Sequence, residues 1–364
     1  MGKLSEKIMA KPKFIISTTG TSIGTNVRKN IFGQCFREGT TDRISSEIKK
    51  SLEGKDIDSI SAETKSLHKI GIDSSTKIAF IHTDTEDGKL CAEILRDWCK
   101  EQWGCSVYIY GVKGLQIKDA GLFAREGLKN YLRLCIDLIE KYSLNHEVIL
   151  NPTGGFKGIV PYTTLIGMLF SKSIYYIFER SDALIKLPAI PINYDEEILD
   201  RCAEKLKRID NETAITYDEF WRGIDYYEKE RFMPLIEEEG KAVSLSPIGI
   251  LLWERYKKDF PPYLHRSEKR PEDKRIILRD DHGKDILMHW ARRLINIPYI
   301  EEVVNSLPFN PAATKPIKRI TEDGLIELVL TKTDAGYGMV VKTTGRDEKE
   351  THEIANILIA RYAL

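Results

Sequence analysis

The sequence predicts a multidomain α/β protein whose first domain is a Rossmann-like, doubly wound sheet. In the N-terminal half, short apolar runs alternate with segments whose apolar residues recur at helical spacing, a pattern typical of a mostly parallel sheet with helices on both faces. Two of the apolar runs end in turns rich in Gly and Thr. Because the pattern then changes twice along the chain, we expect three domains, at residues 1–192, 193–258 and 259–364.

Five apolar runs are candidate strands of the first domain, and the longer segments between them are candidate helices. The strands are Lys13–Ser17, Lys77–His82, Ser106–Tyr110, Glu147–Leu150 and Ser173–Phe178, and the clearest helices are Gly88–Trp103 and Ala120–Tyr142. Ile190-Pro191-Ile192 closes the domain. The carboxyl ends of parallel strands meet at one rim of such a sheet, and ligands bind beyond that rim.

Two turns at this rim carry candidate binding residues. The turn after the first strand supplies Thr18, Thr19, Gly20, Thr21, Ser22 and Asn26; the turn after the fourth supplies Asn151, Thr153, Gly154, Gly155 and Lys157; Thr83 and Asp84 follow the second strand. Glycine lets the backbone approach a phosphate, and a helix N-terminus supplies free N–H groups. Neither turn has GxGxxG or P-loop spacing, so we expect a phosphate cradle that serves neither a dinucleotide nor ATP hydrolysis. A plain strand-to-helix turn, or for Asp84 a helix cap, is the alternative interpretation.

The middle segment has the element order of a winged helix-turn-helix. Asp195–Ile209 and Thr216–Tyr227 have helical patterns, and Thr216 with Glu219 forms a capping-box pair. A short β-like run, Ala242–Leu245, precedes a helix at Ile250–Tyr256. Acidic residues dilute the basic ones here, namely Glu228, Glu230, Glu237, Glu238 and Glu239. We therefore expect a spacer or dimerisation module rather than a DNA-binding domain.

The C-terminal segment predicts an α+β domain with an antiparallel meander. A charged linker from Pro261 to Arg275 leads to candidate helices at Asp285–Leu294 and Tyr299–Leu307. Three candidate strands follow, Lys315–Thr321, Leu325–Lys332 and Tyr337–Thr344, joined by turns that contain Gly. A final helix, Glu348–Tyr362, completes the domain.

Composition excludes several classes of protein. The 364 residues carry 55 basic and 55 acidic side chains, so the whole molecule has no built-in long-range attraction for a polyanion. The six cysteines all precede residue 203 and form no CxxC pair, which favours reduced core thiols over disulfides or zinc ligands. No run reaches the roughly 18 apolar residues of a membrane span, and the N-terminus lacks a signal sequence. We expect a soluble, cytoplasmic protein without a metal site.

The first domain resembles the CARF domain, the Rossmann-like sensor of CRISPR systems that binds cyclic oligoadenylates. The resemblance rests on Thr18-Thr19-Gly20-Thr21-Ser22 and on Asn151-Pro152-Thr153-Gly154-Gly155-Phe156-Lys157, and it covers about half of the chain. It implies a homodimer in which two copies of the rim hold a ring of phosphodiesters at a two-fold axis. Cyclic tetra-adenylate is the commoner activator in that family, and no other cofactor is required.

The C-terminal domain is similar to RelE-type mRNA interferases. The similarity lies in the element order and in a basic residue after the last strand that is followed six positions later by an acid/base residue, here Arg346 and His352. The basic residues of the hairpin would be Lys318 and Arg319, with Lys315. The family's arginine at the start of the second strand has no clear match, and Lys332 or Lys342 would have to compensate. CARF, winged helix and RelE-like domains in this order are similar to the CRISPR-associated CARF–RelE fusion interferases.

This resemblance implies an endoribonuclease that works without metal. The substrate's own 2′-OH attacks the adjacent phosphate, Arg346, Lys318 and Arg319 hold that phosphate, and His352 moves protons. From Tyr256 to Leu364 there are 19 Lys or Arg and 17 Asp or Glu, a net charge of only +2. A net charge this small is poorly suited to binding free RNA. We therefore expect mRNA presented by the ribosome as the substrate.

Two other functions remain open at this point. Arg346 and His352 also satisfy the R-x(4–6)-H spacing of HEPN ribonucleases, which are all-helical. A transcription regulator that senses its ligand and acts through the winged helix is the second alternative. Single residues also have plain interpretations: Lys315, Lys318 and Lys342 as solvated strand charges, His352 as a surface histidine, and His289 as a structural one.

Overall fold

The structure is a computed structural model, and it describes residues 11–27, 31, 40–116, 119–177, 182–190, 192, 194–211, 215–261, 263–278, 284–308, 316–329 and 337–362. The chain divides into two compact units, Met1–Arg255 and Tyr256–Leu364. It is a mixed α/β protein with one largely parallel sheet and two antiparallel sheets. The division into three domains stays a prediction.

The largest sheet of the first unit contains all five predicted strands. Its strands are β1 (Lys13–Thr19), β2 (Lys77–Thr83), β3 (Ser106–Val112), β4 (Glu147–Asn151), β5 (Ser173–Ile177) and β6 (Leu184–Leu187). Their order is β3-β2-β1-β4-β5-β6, the order of Rossmann-type sheets, with β6 antiparallel to β5 and the other pairs parallel. The sequence did not predict β6, because this four-residue edge strand is largely exposed and lacks an alternating apolar pattern.

Helices cover both faces of this sheet. They are α1 (Ser22–Thr25), α2 (Thr40–Leu52), α3 (Ile57–Ile60), α4 (Ala62–Ile70), α5 (Glu86–Trp103), α6 (Ala120–Leu122), α7 (Leu128–Ser143) and α8 (Val160–Leu169), which a 3₁₀ turn (Lys157–Ile159) precedes. Successive residues of β1 point to opposite faces. Phe14 stacks on Tyr142 of α7, with 3.7 Å between ring centroids, whereas Ile15 packs in the cluster that contains Ile94 and Leu95 of α5. The doubly wound arrangement follows from this two-sided burial.

A π-helical turn, Phe123–Gly127, interrupts the helix predicted over Ala120–Tyr142. At its end, the backbone of Gly127 lies against that of Gly114: a Cβ atom on Gly127 would stand 2.2 Å from the Gly114 carbonyl oxygen. This backbone contact leaves no room for a side chain. Helices widen into π turns mostly as single insertions, often at functional sites.

The rest of the first unit is a small sheet with surrounding helices. Its elements are α9 (Glu196–Asp210), β7 (Ile215–Thr216), α10 (Tyr217–Trp221), a 3₁₀ turn (Tyr226–Glu228), α11 (Lys229–Phe232), another 3₁₀ turn (Met233–Leu235), β8 (Ile236–Glu239), β9 (Ala242–Leu245) and α12 (Pro247–Asp259). The sheet order is β7-β9-β8, and all pairs are antiparallel. The winged helix-turn-helix assignment stays a prediction.

The predicted helix Thr216–Tyr227 is wrong in its second half. Thr216 does cap α10, accepting a hydrogen bond from the Glu219 N–H at 3.2 Å. The helix then ends at Trp221, because Arg222 is extended and Gly223 has a φ of +80°. Glycine adopts that conformation without steric strain, so it stops the helix.

The second unit is an antiparallel sheet covered by helices. Its elements are a 3₁₀ turn (Pro271–Asp273), α13 (Lys284–Ile295), β10 (Ile300–Pro308), β11 (Ile317–Ile320), β12 (Leu325–Val329), β13 (Tyr337–Thr343) and α14 (Glu348–Tyr362). The strand order is β10-β13-β12-β11. The buried row Val303, Val341 and Ile326 lies on one face, whereas Val340 and Glu327 on the other face are half-exposed. The helices therefore cover one face, and the all-helical HEPN alternative is wrong for this unit.

The helix predicted at Tyr299–Leu307 is also wrong, because this segment forms β10. The pattern misled because apolar residues of the segment happen to recur at a spacing that a helix also allows. β-branched Ile300 and Val303 instead pair with Thr343 and Val341 of β13, so the predicted three-stranded meander is part of a four-stranded sheet. Tertiary pairing overrides weak local preference in such a case.

Two further expectations concern cysteines and membranes. Five cysteines are described, Cys91, Cys99, Cys105, Cys135 and Cys202, and all of them are buried free thiols. Burial raises the pKa of Cys135 to about 12, so its thiol stays protonated. No helix in the described ranges is long and apolar enough to cross a membrane.

Candidate functional site

The strand order of the large sheet reverses direction between β1 and β4, and both predicted turns stand at that point. In doubly wound sheets a crevice opens where two neighbouring strands send their connections to opposite sides. The Thr18 hydroxyl donates to the Gly154 carbonyl oxygen at 2.5 Å. A Cβ atom on Gly20 would lie 2.8 Å from the Gly155 nitrogen. The two turns are thus in direct contact; we call them together the cradle (residues 18–22 and 151–157).

Gly155 is required by the shape of the cradle. Its φ is +83°, and a Cβ atom there would lie 3.2 Å from the Thr19 carbonyl oxygen. A side chain would meet both backbone strain and a close neighbour. Glycine thus permits a close backbone approach at this position, but the approached group is the other turn; the approach to a phosphate stays a prediction.

Asn151 and Thr153 brace the second turn from inside. Asn151 is fully buried, and its amide donates to the hydroxyls of Ser17 at 3.1 Å and Ser66 at 2.8 Å. Its side-chain oxygen accepts from the Thr153 hydroxyl at 2.7 Å, and Thr153 in turn accepts from the Ile177 N–H at 3.1 Å. Asn151 and Thr153 therefore hold the second turn in place through contacts within the protein, whereas the sequence predicted that they contact the ligand directly.

The outer part of the cradle faces solvent. Thr21 and Gly155 are half-buried and Lys157 is exposed. The Lys157 ammonium donates to the Thr153 carbonyl oxygen at 3.2 Å and lies 5.7 Å from the centroid of the Tyr176 ring. Thr19 Oγ1 is buried and makes no hydrogen bond to the described residues. The solvent-facing part of the cradle therefore consists of Thr21, Gly155 and Lys157, where Lys157 supplies positive charge for an anion.

Three other predicted binding residues hold neighbouring loops. The Asp84 carboxylate accepts from the Gly114 N–H at 3.1 Å, so it fixes the loop that packs on the π turn. It is not the cap of α5, since Thr85 accepts from the Gly88 N–H at 3.1 Å. Thr83 shares a hydrogen bond with Thr85 at 2.9 Å. Asn26 donates to the Ile60 carbonyl oxygen at 3.0 Å and so connects the end of α1 to α3.

A carboxylate that the sequence did not single out stands inside the cradle. Glu63, in the first turn of α4, is fully buried. Its Oε1 accepts from the Gly20 N–H at 2.7 Å, and its Oε2 accepts from the Ser22 hydroxyl at 2.9 Å. The only local signal was the capping box of Ser61 and Thr64, which places a helix start beside it.

In the second unit, Arg346 and His352 line one cavity of about 730 Å³. The spacing in the sequence thus brings the two predicted catalytic residues together at the start of α14. The other described lining residues are Glu322, Asp323, Asp347, Glu348 and Lys349. Four carboxylates against two permanent cations make this lining net negative, which disfavours a phosphate.

Arg346 is held by Glu350. Its backbone N–H donates to Glu350 Oε2 at 3.0 Å, and its Nε donates to both carboxylate oxygens at 3.1 Å. These hydrogen bonds lower the pKa of the Glu350 carboxyl to about 2. His352 is exposed, with Nε2 3.7 Å from Glu348 Oε1. Arg346, which precedes α14, therefore already has an anionic partner in the first turn of that helix.

The predicted hairpin cations have other partners. Lys318 Nζ lies 3.6 Å from Glu327 Oε2, Arg319 stands opposite Glu327 in the strand register, and Lys342 donates to the Asp323 carbonyl oxygen. None of the three is among the described residues that line the cavity of Arg346. Lys315 and Lys332 lie outside the described residues. The structure therefore does not gather the hairpin cations around Arg346 as the resemblance implied.

Comparison with solved structures finds protein VC1899 from Vibrio cholerae. The likeness covers 91% of this chain and 77% of that chain at 8% sequence identity, with a TM-score of 0.28. A score this low supports no inference about fold or function. No curated protein is significantly similar to the sequence.

Comparison with protein families gives one result for the first unit. Residues 58–190 match the model of the family described as CRISPR-associated protein (Cas_APE2256). The matched region is a little over a third of the chain; it contains Glu63 and the second turn of the cradle but begins after the first turn. This match indicates a CRISPR-associated protein.

Proposed function

We propose that this protein is an endoribonuclease of CRISPR defence that a cyclic oligoadenylate activates. The observation that carries the proposal is the contact between two glycine turns at the reversal point of the sheet, in a unit that matches a CRISPR-associated family. Such a place collects backbone donors and accepts a phosphorylated ligand. The proposed ribonuclease activity is assigned to the second unit, where Arg346 and His352 line one cavity.

A ring of phosphodiesters suits the outer part of the cradle. Each phosphate of the ring carries a single negative charge, and the outer part of the cradle offers it the exposed Lys157 ammonium beside the half-buried turn at Gly155. A cyclic tetra-adenylate has rotational symmetry, so a homodimer with two cradles on a two-fold axis would hold it with both rims. The ligand in this proposal is an activator and takes no part in RNA cleavage.

The proposed reaction in the second unit is attack of the RNA 2′-OH on the adjacent phosphorus. The P–O5′ bond breaks, leaving a 2′,3′-cyclic phosphate and a 5′-OH. His352 either takes the proton of the 2′-OH, while water protonates the leaving 5′-oxygen, or gives a proton to the 5′-oxygen, while water takes the 2′-OH proton; an imidazole nitrogen serves in either role. Arg346 neutralises the phosphate, for which it must exchange Glu350 for the substrate. The pair of Arg346 and Glu350 is therefore an inhibited arrangement of the proposed site.

The negative lining of this cavity supports a substrate presented by a partner. Free RNA binds mainly through neutralised phosphates, and the described lining supplies few cations for that purpose. The ribosome holds mRNA independently of this protein. We therefore propose ribosome-bound mRNA as the substrate.

One cleavage assay tests the proposal. The full chain is incubated with an mRNA, with and without ribosomes, and with cyclic oligoadenylates of three to six units. We expect cleavage only with ribosomes and one ring size, with products that end in a 2′,3′-cyclic phosphate. Arg346→Ala and His352→Ala should abolish cleavage and leave ligand binding intact. Arg292→Ala, which removes an exposed cation of the same unit that is not among the described lining residues, is the matched control. Equal cleavage with and without ligand would reject the activation.

A further inference from the structure

We infer that Glu63 is the residue that makes the cradle select singly charged phosphodiesters and reject doubly charged terminal phosphates. The inference rests on the proposed function for the kind of ligand, and it adds a specificity that the proposed function does not contain. Glu63 is a positioning residue, since it acts through the donors and the field of the cradle.

The carboxylate occupies the place where a phosphate would enter most deeply. Its Oε1 receives the Gly20 N–H at 2.7 Å, and its Oε2 receives the Ser22 hydroxyl at 2.9 Å. It also touches the second turn: a Cβ atom on Gly154 would stand 2.0 Å from Oε1. Donors from the first turn, which resemble an anion-binding loop, are therefore already bound to an anion of the chain itself.

Glu63 is held in this place from several sides. Its helix starts with a reciprocal cap, in which the Thr64 N–H donates to the Ser61 hydroxyl at 3.1 Å and the Ser61 N–H donates to the Thr64 hydroxyl at 3.0 Å. One turn further, Ser66 accepts from the Asn151 amide at 2.8 Å, which connects α4 to the second turn. Glu63 is fully buried, so a ligand cannot displace its carboxylate without moving α4.

A fixed internal charge changes what the outer cradle accepts. A phosphate at Gly155 and Lys157 stands near the Glu63 carboxylate, since a Cβ atom on Gly20 would lie 2.8 Å from the Gly155 nitrogen and 3.6 Å from Glu63 Oε1. Both the repulsion by Glu63 and the attraction by Lys157 grow with the charge of the phosphate. Solvent screens the exposed Lys157, whereas the buried Glu63 is screened much less, so the repulsion decides the difference. A phosphodiester carries one negative charge, whereas a terminal phosphate carries nearly two at neutral pH. At a distance of one side chain in a partly buried site, one additional unit charge changes affinity by roughly ten-fold.

The test measures binding and needs no ribonuclease activity. Calorimetry compares three ligands on the wild-type chain and on Glu63→Gln: cyclic tetra-adenylate, linear tetra-adenylate with a 5′-phosphate, and linear tetra-adenylate with a 5′-OH. Glutamine keeps the shape of the side chain and its acceptor for Gly20, but it removes the charge. We expect Glu63→Gln to bind the 5′-phosphorylated linear ligand roughly ten-fold more tightly and the other two ligands with a much smaller change. Glu53→Gln, an exposed charge in the same unit, is the matched control.

A second measurement requires no variant, so it also serves if Glu63→Gln does not fold. The terminal phosphate loses its second negative charge below about pH 6. In the wild-type chain, the affinity that the 5′-phosphorylated linear ligand loses relative to the 5′-OH ligand should therefore shrink between about pH 7.5 and about pH 5.5. The ratio of the two linear affinities should move toward one, with the cyclic ligand measured in parallel as the internal standard. An unchanged ratio, by pH or by Glu63→Gln in a folded chain that binds the cyclic ligand, would overturn the inference alone. A wild-type chain that binds none of the ligands would reject the proposed function as well.

Discussion

The ring of Phe156, in the cradle, meets the ring of Phe123 edge to face, with 4.9 Å between their centroids. Phe123 is the first residue of the π turn that leads into α7. One turn further, the buried Lys129 donates to the Ser244 hydroxyl at 2.9 Å and lies 3.1 Å from Glu237 Oε2. A continuous set of contacts thus joins the candidate ligand site to the small sheet of the same unit.

The first prediction concerns this contact. Phe123→Leu removes the aromatic edge but keeps an apolar side chain, so ligand affinity should change by less than about two-fold. Activation of RNA cleavage by cyclic tetra-adenylate should fall several-fold, because the turn that binds the ligand no longer moves the π turn. Dose–response curves of cleavage and binding measure the two effects. Phe123→Tyr, which keeps the ring, is the control; an equal loss of binding and activation in Phe123→Leu would contradict the role.

The second prediction concerns Lys129. Lys129→Met keeps the length of the side chain but removes its charge from a buried position, and it leaves Glu237 and Ser244 without this donor. Because Glu237 is 39% exposed and can be solvated, we expect a loss of about 2 kcal/mol in the free energy of unfolding, below the full value for a buried pair. Urea titration measures it.

A surface ion pair provides the comparison for Lys129. Lys49 Nζ and Asp97 Oδ2 are 3.2 Å apart, and the two side chains are 51% and 34% exposed, so Lys49→Met should change the free energy of unfolding by less than about 1 kcal/mol. Equal effects of the two substitutions would show that burial of Lys129 does not matter.

The third prediction concerns Gly155. Gly155→Ala places a Cβ atom at a φ of +83° and 3.2 Å from the Thr19 carbonyl oxygen. Gly54 has a φ of +71° with no atom within 4 Å of such a Cβ, so Gly54→Ala isolates the conformational effect. We expect Gly54→Ala to lower the free energy of unfolding by about 1 kcal/mol and Gly155→Ala by at least twice as much. Thermal unfolding of both variants checks the order.

The fourth prediction concerns the pH dependence of the pair formed by Arg346 and Glu350. The hydrogen bonds from Arg346 lower the pKa of Glu350 from 4.5 to about 2 in the folded chain. A lowered folded-state pKa stabilises the fold at pH values above the unfolded pKa. This contribution is lost as the pH falls from about 4.5 toward about 2.

NMR titration of the Glu350 side chain tests this prediction. In Arg346→Ala its pKa should rise back toward 4.5, and the corresponding acid dependence of stability should disappear. Lys349→Ala, a neighbouring cation that makes none of the hydrogen bonds described for Glu350, should leave the pKa low. A low pKa in Arg346→Ala would show that another group determines it.

The sequence predicted the parts of the fold that local patterns determine. Short continuous apolar runs such as Ile78–Ile81, bounded by turn residues, favour strands buried on both faces. The glycines of the cradle mark turns by their backbone requirements. Strand β10 was not predicted, because Ile300 and Val303 form a strand only through pairing with β13. The π turn was not predicted either, since it depends on the tertiary contact between Gly114 and Gly127, which no local pattern shows.

The sequence predicted where the candidate site lies, but not which contacts its side chains make. Strand ends located the cradle, and spacing located Arg346 beside His352. Glu63 could not be found, because an acidic residue in the first turn of a helix is an ordinary occurrence and its partner Gly20 is 43 residues away. The roles of other residues depend on their hydrogen-bond partners, which the sequence does not give. The described contacts of Asn151 all lie inside the protein, and Arg346 is hydrogen-bonded to Glu350.

The carboxylate of Glu63 also has a kinetic consequence. Since the two turns are already joined through Glu63, the cradle assembles during folding, and a ligand meets a finished surface. Encounter then requires no slow ordering of loops, so association can proceed at the rate of ordinary unhindered docking. In the proposed function, no step of loop ordering would therefore delay the response to the activator.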